Sequence, residues 1–386
     1  MISINKLKRI LFVISLLCSI SLAYISIMIP NISKIYLSIN IVCLLFTLII
    51  DKKVRYDKYF IFFILYYFII LISTIINKSD VKSIIYESVN SIIPFYILFS
   101  EEPNEKNKMI NSAGNLLLFI GIINLITVIF FPNGLYNQGM ERNYYFLGHS
   151  NISIRYLLPG VCFTIVSELY RYNRIKIKSI VFILLISLTL ILTWPATAIM
   201  GFSIFIILMI VLNRFNIFAK TISPLKMFLF SVTSSYLIIF FNIQYYFGSF
   251  LTKVLHRDLT FTNRTEIWER AIKYISANPI LGLGRTTELY RRDILKATSA
   301  HNQFLNILFE GGIVLLIYFI ILTIFSSSNA YKCENKKISN TLIATFAAYM
   351  IMWITEPFSY SGTVLMMFIF FIMIYSEEIF REQREE

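Results

Sequence analysis

Four cysteines, three histidines and a charged fraction of only 15% are spread over 386 residues. Each scarcity excludes something. Cys18, Cys43 and Cys162 lie in apolar stretches and Cys333 in a short charged loop, so neither a disulfide framework nor a Cys metal site is expected, and the thiols read as packing residues. His149, His256 and His301 form no metal-ligand spacing, and neither a Walker loop nor a Rossmann glycine fingerprint is present. No cofactor and no metal are expected, and any chemistry must draw on a substrate that arrives already activated. Internal repeats, low-complexity tracts and Gly/Ser linkers are also missing. Acidic residues are few: 22 Asp and Glu stand against 35 Lys and Arg, a net charge of +13. In so apolar a chain, that excess marks loops retained in the cytoplasm rather than a nucleic-acid surface.

What is abundant is apolar surface. Hydrophobic residues make up 57% and aromatics 16%, and the mean hydropathy is +0.70, which excludes a water-soluble fold. Lys6, Lys8 and Arg9 precede an apolar run at 10–29. The run exceeds a signal-peptide core, and Ile29-Pro30-Asn31 is no cleavage site, so it reads as a retained first helix. Runs near bilayer length follow at 35–50, 59–76, 84–99, 112–131, 154–169, 177–194, 197–212, 225–247, 303–325, 340–355 and 361–375,. The expected fold is an all-α polytopic membrane helix bundle of about 12 spans with one long extracytoplasmic loop. Its segments are 1–247 with spans one to nine, 248–302 as the loop, and 303–386 with spans ten to twelve and a tail.

Charge tests the count. With the amino end inside, the inner segments hold 21 Lys and Arg and the short outer loops five, Lys34, Lys78, Lys82, Arg142 and Arg155. That asymmetry puts both termini in the cytoplasm and segment 248–302 outside. Within that segment, Asn263 and Glu266 read as a cap pair for a helix that Asn278-Pro279 ends. Trp268 suits the headgroup level, so this helix is expected to lie along the membrane surface. Gly282 and Gly284 read as a tight turn. The segment carries six Arg, including Arg264, Arg285, Arg291 and Arg292; their planar forks suit phosphate oxygens, although a solvated basic face would look the same. Asn302, Asn306 and Glu310 recur every fourth residue, a polar stripe expected to face the bundle interior or a water-filled cavity. His301 reads as a first-turn residue kept neutral by the helix dipole.

These residues resemble the O-antigen polymerase and ligase superfamily. Arg264, Trp268, Asn278, Pro279, Gly282 and Gly284 are similar to its Arg-x-x-x-Trp and Asn-Pro-x-x-Gly-x-Gly blocks. His301, Asn302, Leu305, Glu310 and Gly311 are similar to its His-Asn block, and Gly148, His149, Asn151 and Tyr156 to a weaker Gly-His-x-Asn segment. One departure stands out: where related sequences often carry Ser and a basic residue at a helix start, this chain reads Trp194-Pro195-Ala196-Thr197-Ala198. The resemblance implies a membrane glycosyltransferase of the bacterial inner membrane that polymerises undecaprenyl-pyrophosphate-linked repeat units into a surface polysaccharide (O-antigen, capsule or exopolysaccharide), with donor, acceptor and bilayer as partners beside a chain-length regulator and a flippase. It implies Arg264 against the leaving pyrophosphate, His301 as general base, and Asn302, His149, Asn151 and Glu310 as substrate-binding residues; Arg155 or Arg285 would substitute for the phosphate-binding cation missing at 194–198, although Arg155 also reads as a snorkelling residue. A ligase delivering glycan to a lipid or protein acceptor would use the same donor chemistry. A lipid-linked oligosaccharide flippase is the reading from another class, supported by the embedded acids Glu87 and Glu310.

Overall fold

The computed structural model describes residues 3–51, 59–136, 143–215, 222–241, 243, 246, 264–358 and 361–381. Within those residues, each of the twelve apolar runs falls on helix. The chain begins with α1 (Ile4–Ile20), α2 (Ala23–Met28), α3 (Ile32–Asp51), α4 (Phe60–Ile76), α5 (Val81–Phe99) and α6 (Pro103–Phe130). A small hairpin, β1 (Tyr144–Tyr145) and β2 (Gly148–His149), leads into α7 (Ser150–Tyr172), α8 (Ile177–Thr193), α9 (Ala196–Arg214) and α10 (Pro224–Phe241). Two amphipathic helices follow, α11 (Arg264–Ala277) and α12 (Glu288–Leu295). The last are α13 (Gln303–Lys332), α14 (Lys336–Trp353), α15 (Ser361–Ile374) and the short α16 (Ser376–Ile379). By length and composition α3, α6, α7, α9, α10 and α13 can each cross a bilayer, and α4, α8 and most of α15 are shorter apolar helices,. This is a multi-pass, all-α membrane protein.

The first run is not one helix. Ser21 takes a left-handed conformation (φ 42°) and separates α1 from α2, while α1 starts at Ile4 with Ser3 as its cap, so Lys6, Lys8 and Arg9 lie inside it. Lys8 is buried, paired with Asp51 and, at 2.6 Å, with Glu101. That ion cluster ties the start of α1 to the ends of α3 and α5. Lys106 to Glu378 (2.9 Å) does the same for α6 and α16. The first tie sets the ends of α3 and α5 beside the start of α1, so both run opposite to α1. At the centre of the bundle stand α15 and the middle of α7, buried on every side; α15, apolar all round, shows no amphipathic period to read in the sequence.

The tenth span is broken. Gly312 (φ 59°, ψ −157°) interrupts α13, and the segment between α11 and α12 fills the gap. Leu283 N donates to Phe309 O (2.7 Å) and Gly284 N to Glu310 O (3.0 Å), while Ile313 N and Val314 N donate to Pro279 O (2.9 Å) and Ile280 O (3.2 Å). The four backbone groups orphaned by the break are thus satisfied by the Asn-Pro-x-x-Gly-x-Gly segment, as a membrane interior demands. At Gly312 the backbone is left-handed and a Cβ would strike the Ile280 carbonyl, so only glycine fits. At Gly284 (φ 74°) a Cβ would strike the Thr74 backbone of α4. The glycines read as a turn therefore close a helix break.

Trp268 does not reach the headgroups. It is buried with Ile267 and Ala271 against Leu305, Phe309 and Ala300, because the apolar face of α11 packs on the start of α13. Asn263, expected as its cap, lies outside the described residues with the rest of 247–263. Glu266 pairs with Arg270 on the surface instead (3.2 Å).

Candidate functional site

Glu356 sits in the turn between α14 and α15, and four expected site residues from three other regions of the chain converge on it. Arg264, first residue of α11, places Nη2 2.6 Å from Glu356 Oε1 and donates from Nη1 to Thr355 O (2.5 Å). Arg155, one turn into α7, places Nη2 3.7 Å from Glu356 Oε2 and lies over the Phe358 ring, 5.4 Å from its centroid. Asn151, in the first turn of α7, donates from Nδ2 to Oε1 (3.3 Å). His301 turns Nδ1 towards Oε2 at 3.6 Å.

The neighbours of His301 hold the turn in place. His301 itself is not in the first turn of a helix: Asn302 is the N-cap of α13, and His301 precedes it with φ 47°. The dipole argument for a neutral ring therefore gives way to direct pairing with Glu356. Asn302 is fully buried; its Oδ1 accepts from Leu305 N (3.0 Å), and its Nδ2 donates to Ser235 Oγ (3.0 Å) and Ile354 O (2.9 Å). Gln303 Oε1 accepts from Phe358 N (2.6 Å). The His-Asn-Gln run thus grips both sides of the turn that carries Glu356. His149 acts at one remove from Glu356: as the N-cap of α7 its Nδ1 accepts from Asn151 N (3.1 Å) and so fixes the start of that helix.

Burial alone would raise the Glu356 carboxyl, but the charge of Arg264, the contact with His301 and the charge of Arg155 outweigh it and hold the group well below the usual carboxylate range,. The N-terminal ends of α7, α11 and α13 supply their residues here, and each end carries a partial positive charge. The arrangement is an anion-holding centre with one carboxylate in its middle. The helix start that lacks the expected cation is beside it, with Thr197 Oγ1 3.0 Å from Thr355 Oγ1, and Arg155 is the second guanidinium near Glu356.

Arg285 and Glu310 are not brought to this centre. Arg285, fully buried, is 2.5 Å from Glu87 and 2.6 Å from Glu310, with Arg291 3.6 Å from Glu310. Its backbone N donates to Thr74 Oγ1 (2.8 Å). This second cluster ties the segment that closes the α13 break to α4 and α5, and Arg285 is engaged there rather than at Glu356. It also pairs both Glu87 and Glu310, the acids that supported a transporter. The stripe of Asn302, Asn306 and Glu310 is buried in the bundle interior as expected. Among the described residues, no three of His, Cys, Asp and Glu come together as a metal would require.

Sequence reasoning missed Glu356. One signal was there: it is the sole acid between Glu334 and Glu377, placed before Pro357 between two apolar runs, and an acid so placed is costly unless paired.

A many-helix membrane protein in which two Arg and a His, half-buried, surround a buried Glu is the class that fold and site define. Residues 180–320 match the family model described as O-antigen ligase, which supports the O-antigen polymerase and ligase superfamily. The chain is also 24% identical over 384 residues to an uncharacterized protein of Haemophilus influenzae, across 91% of this chain and 94% of that one. No solved structure matches the chain significantly.

Proposed function

We propose that the protein is a polymerase of polyprenyl-pyrophosphate-linked repeat units, with twelve spans, both termini in the cytoplasm and the Glu356 centre on the outer face of the bacterial inner membrane. The observation that carries this reading is the convergence of Arg264, Arg155, Asn151 and His301 on one ionised carboxylate. A glycosyl donor on pyrophosphate needs cations at the leaving group and a base at the acceptor, and both lie here within one side chain of each other. With Glu356 facing Nδ1, His301 presents Nε2 to the acceptor hydroxyl. Nε2 takes the hydroxyl proton, the oxygen bonds to the anomeric carbon, and the bond from that carbon to the pyrophosphate oxygen breaks with its electron pair. Arg264 and Arg155 meet the charge that gathers on the leaving group, which stabilises the transition state more than the bound donor. Glu356 compensates the imidazolium that forms, as a base-orienting carboxylate does. Beside His149, whose ring centroid is 6.0 Å from that of Tyr144, the half-buried rings of Tyr24, Tyr136, Tyr144 and Phe146 stand 5.3 to 6.1 Å apart, a surface suited to the C–H faces of sugar rings.

Transfer to a lipid or protein acceptor is the second reading, favoured by the ligase description of the matching family. The glycan profile of a deletion strain separates the two. Loss of a polymerase leaves single repeat units exported and attached, so surface glycan shrinks to one unit. Long carrier-linked chains with none attached would establish a ligase, and single units trapped on the inner face would exclude glycosyl transfer altogether.

A further inference from the structure

The end of the bundle away from Glu356 carries a cleft of about 400 Å³ where α6, α7 and α8 meet. Its floor is Ser167 and Glu168, its walls Asn111, Lys176 and Lys178, and its rim Arg171 and Tyr172. Three features make it more than a basic surface. Ser167, 1% exposed, has an Oγ without a hydrogen-bond partner, and a buried hydroxyl left so is costly. Glu168, which would repel an anion, is engaged elsewhere: its Oε2 accepts from Lys176 N (2.7 Å) and Ser179 Oγ (2.6 Å), capping α8. The cations are held rather than splayed, with Lys178 Nζ donating to Asn111 Oδ1 (3.1 Å) and Lys176 Nζ 4.8 Å over the Tyr172 ring. Beyond Lys178 the helix runs apolar to Thr193, so the cleft opens where three helices leave the hydrocarbon.

We propose that this cleft binds the phosphate of an anionic diacyl phospholipid, with Arg171, Lys176 and Lys178 around its oxygens and Ser167 donating from the floor. A basic pocket between membrane helices at headgroup depth suits that ligand. A free phosphate ion would satisfy the same groups, but the position of the cleft at the bilayer edge favours a headgroup whose chains lie in the membrane.

The test uses the full-length protein in detergent, titrated with phosphatidylglycerol or phosphatidylcholine and read by native mass spectrometry. Phosphatidylglycerol should be retained in preference. Arg171→Gln and Lys178→Gln should each weaken retention by about fivefold, Lys178→Arg should restore it, and Lys226→Gln, an exposed site at the same end of the bundle, should leave it unchanged. Equal retention of phosphatidylcholine, or an equal loss in Lys226→Gln, would overturn the site. Inorganic phosphate displacing phosphatidylglycerol at low millimolar concentration would overturn the lipid as its ligand.

Discussion

Glu356 decides the behaviour of its neighbours. Glu356→Gln keeps the shape of the side chain and removes the charge that orients His301, so glycan extension in membranes should fall by about a hundredfold or more, with Glu356→Asp recovering some of it. Unchanged extension by Glu356→Gln would detach the carboxylate from the chemistry. The same residue sets an acid limit. Its folded-state pKa is depressed, so its contribution to stability is complete above the ordinary carboxylate range near ~4.3 and is lost as pH falls below it. Thermal unfolding from pH 7 down to 3 should therefore fall more steeply in the wild type than in Glu356→Gln; parallel curves would contradict the pairing. Arg264→Ala should lower extension by about 10²- to 10³-fold, and Arg264→Lys should recover little, since one ammonium cannot serve both Glu356 and the Thr355 carbonyl,. Arg270, on the surface of α11 and paired with Glu266 one turn away, should tolerate Ala, as surface pairs contribute little.

At the scale of elements, the α13 break and the Arg285 cluster separate holding from chemistry. Gly312→Ala forces a Cβ into the Ile280 carbonyl at a positive φ, so it should destabilise the protein by at least about 1–3 kcal/mol, seen as loss of folded protein in a fluorescence-detected thermal melt. A wild-type melt would mean that α13 can run straight. Arg285→Ala takes the cation from the partly buried Glu87 and leaves the buried Glu310 only the more distant Arg291 (3.6 Å), where breaking a comparable buried pair costs about 3–5 kcal/mol. Protein abundance should drop in this variant and stay normal in Arg264→Ala. If both variants are equally abundant, the division into a locking cluster and a reacting centre fails.

For the whole molecule, the prediction concerns sidedness. The four native cysteines are buried and burial pushes the Cys333 thiol up to about 11, so they make a quiet background for labelling. Leu289→Cys, on the exposed side of α12 (81% exposed), should react with an impermeant thiol reagent in intact spheroplasts. Arg174→Cys, in the exposed turn between α7 and α8, should react only after permeabilisation. The reverse pattern would turn the protein over and put the Glu356 centre in the cytoplasm.

Composition and apolar run length alone were enough for a helical membrane protein, because a bilayer forces every spanning backbone group into an internal hydrogen bond. Family-like motifs pointed to Arg264, Asn151 and His301, and Arg155 stood out as a cation at the start of an apolar run. Their meeting point was not legible. Glu356 lies 92 residues from Arg264 and 205 from Asn151 along the chain, and nothing local brings such distant residues together. Placement was hidden for the same reason: Arg285 and Arg264 share one segment and one side-chain chemistry, yet one is enclosed between two acids and the other faces the turn. Only the packing of α13 around its break, with the Asn-Pro-x-x-Gly-x-Gly segment inserted and the chain gripped by Asn302 and Gln303, decided which arginine holds the structure and which faces the site.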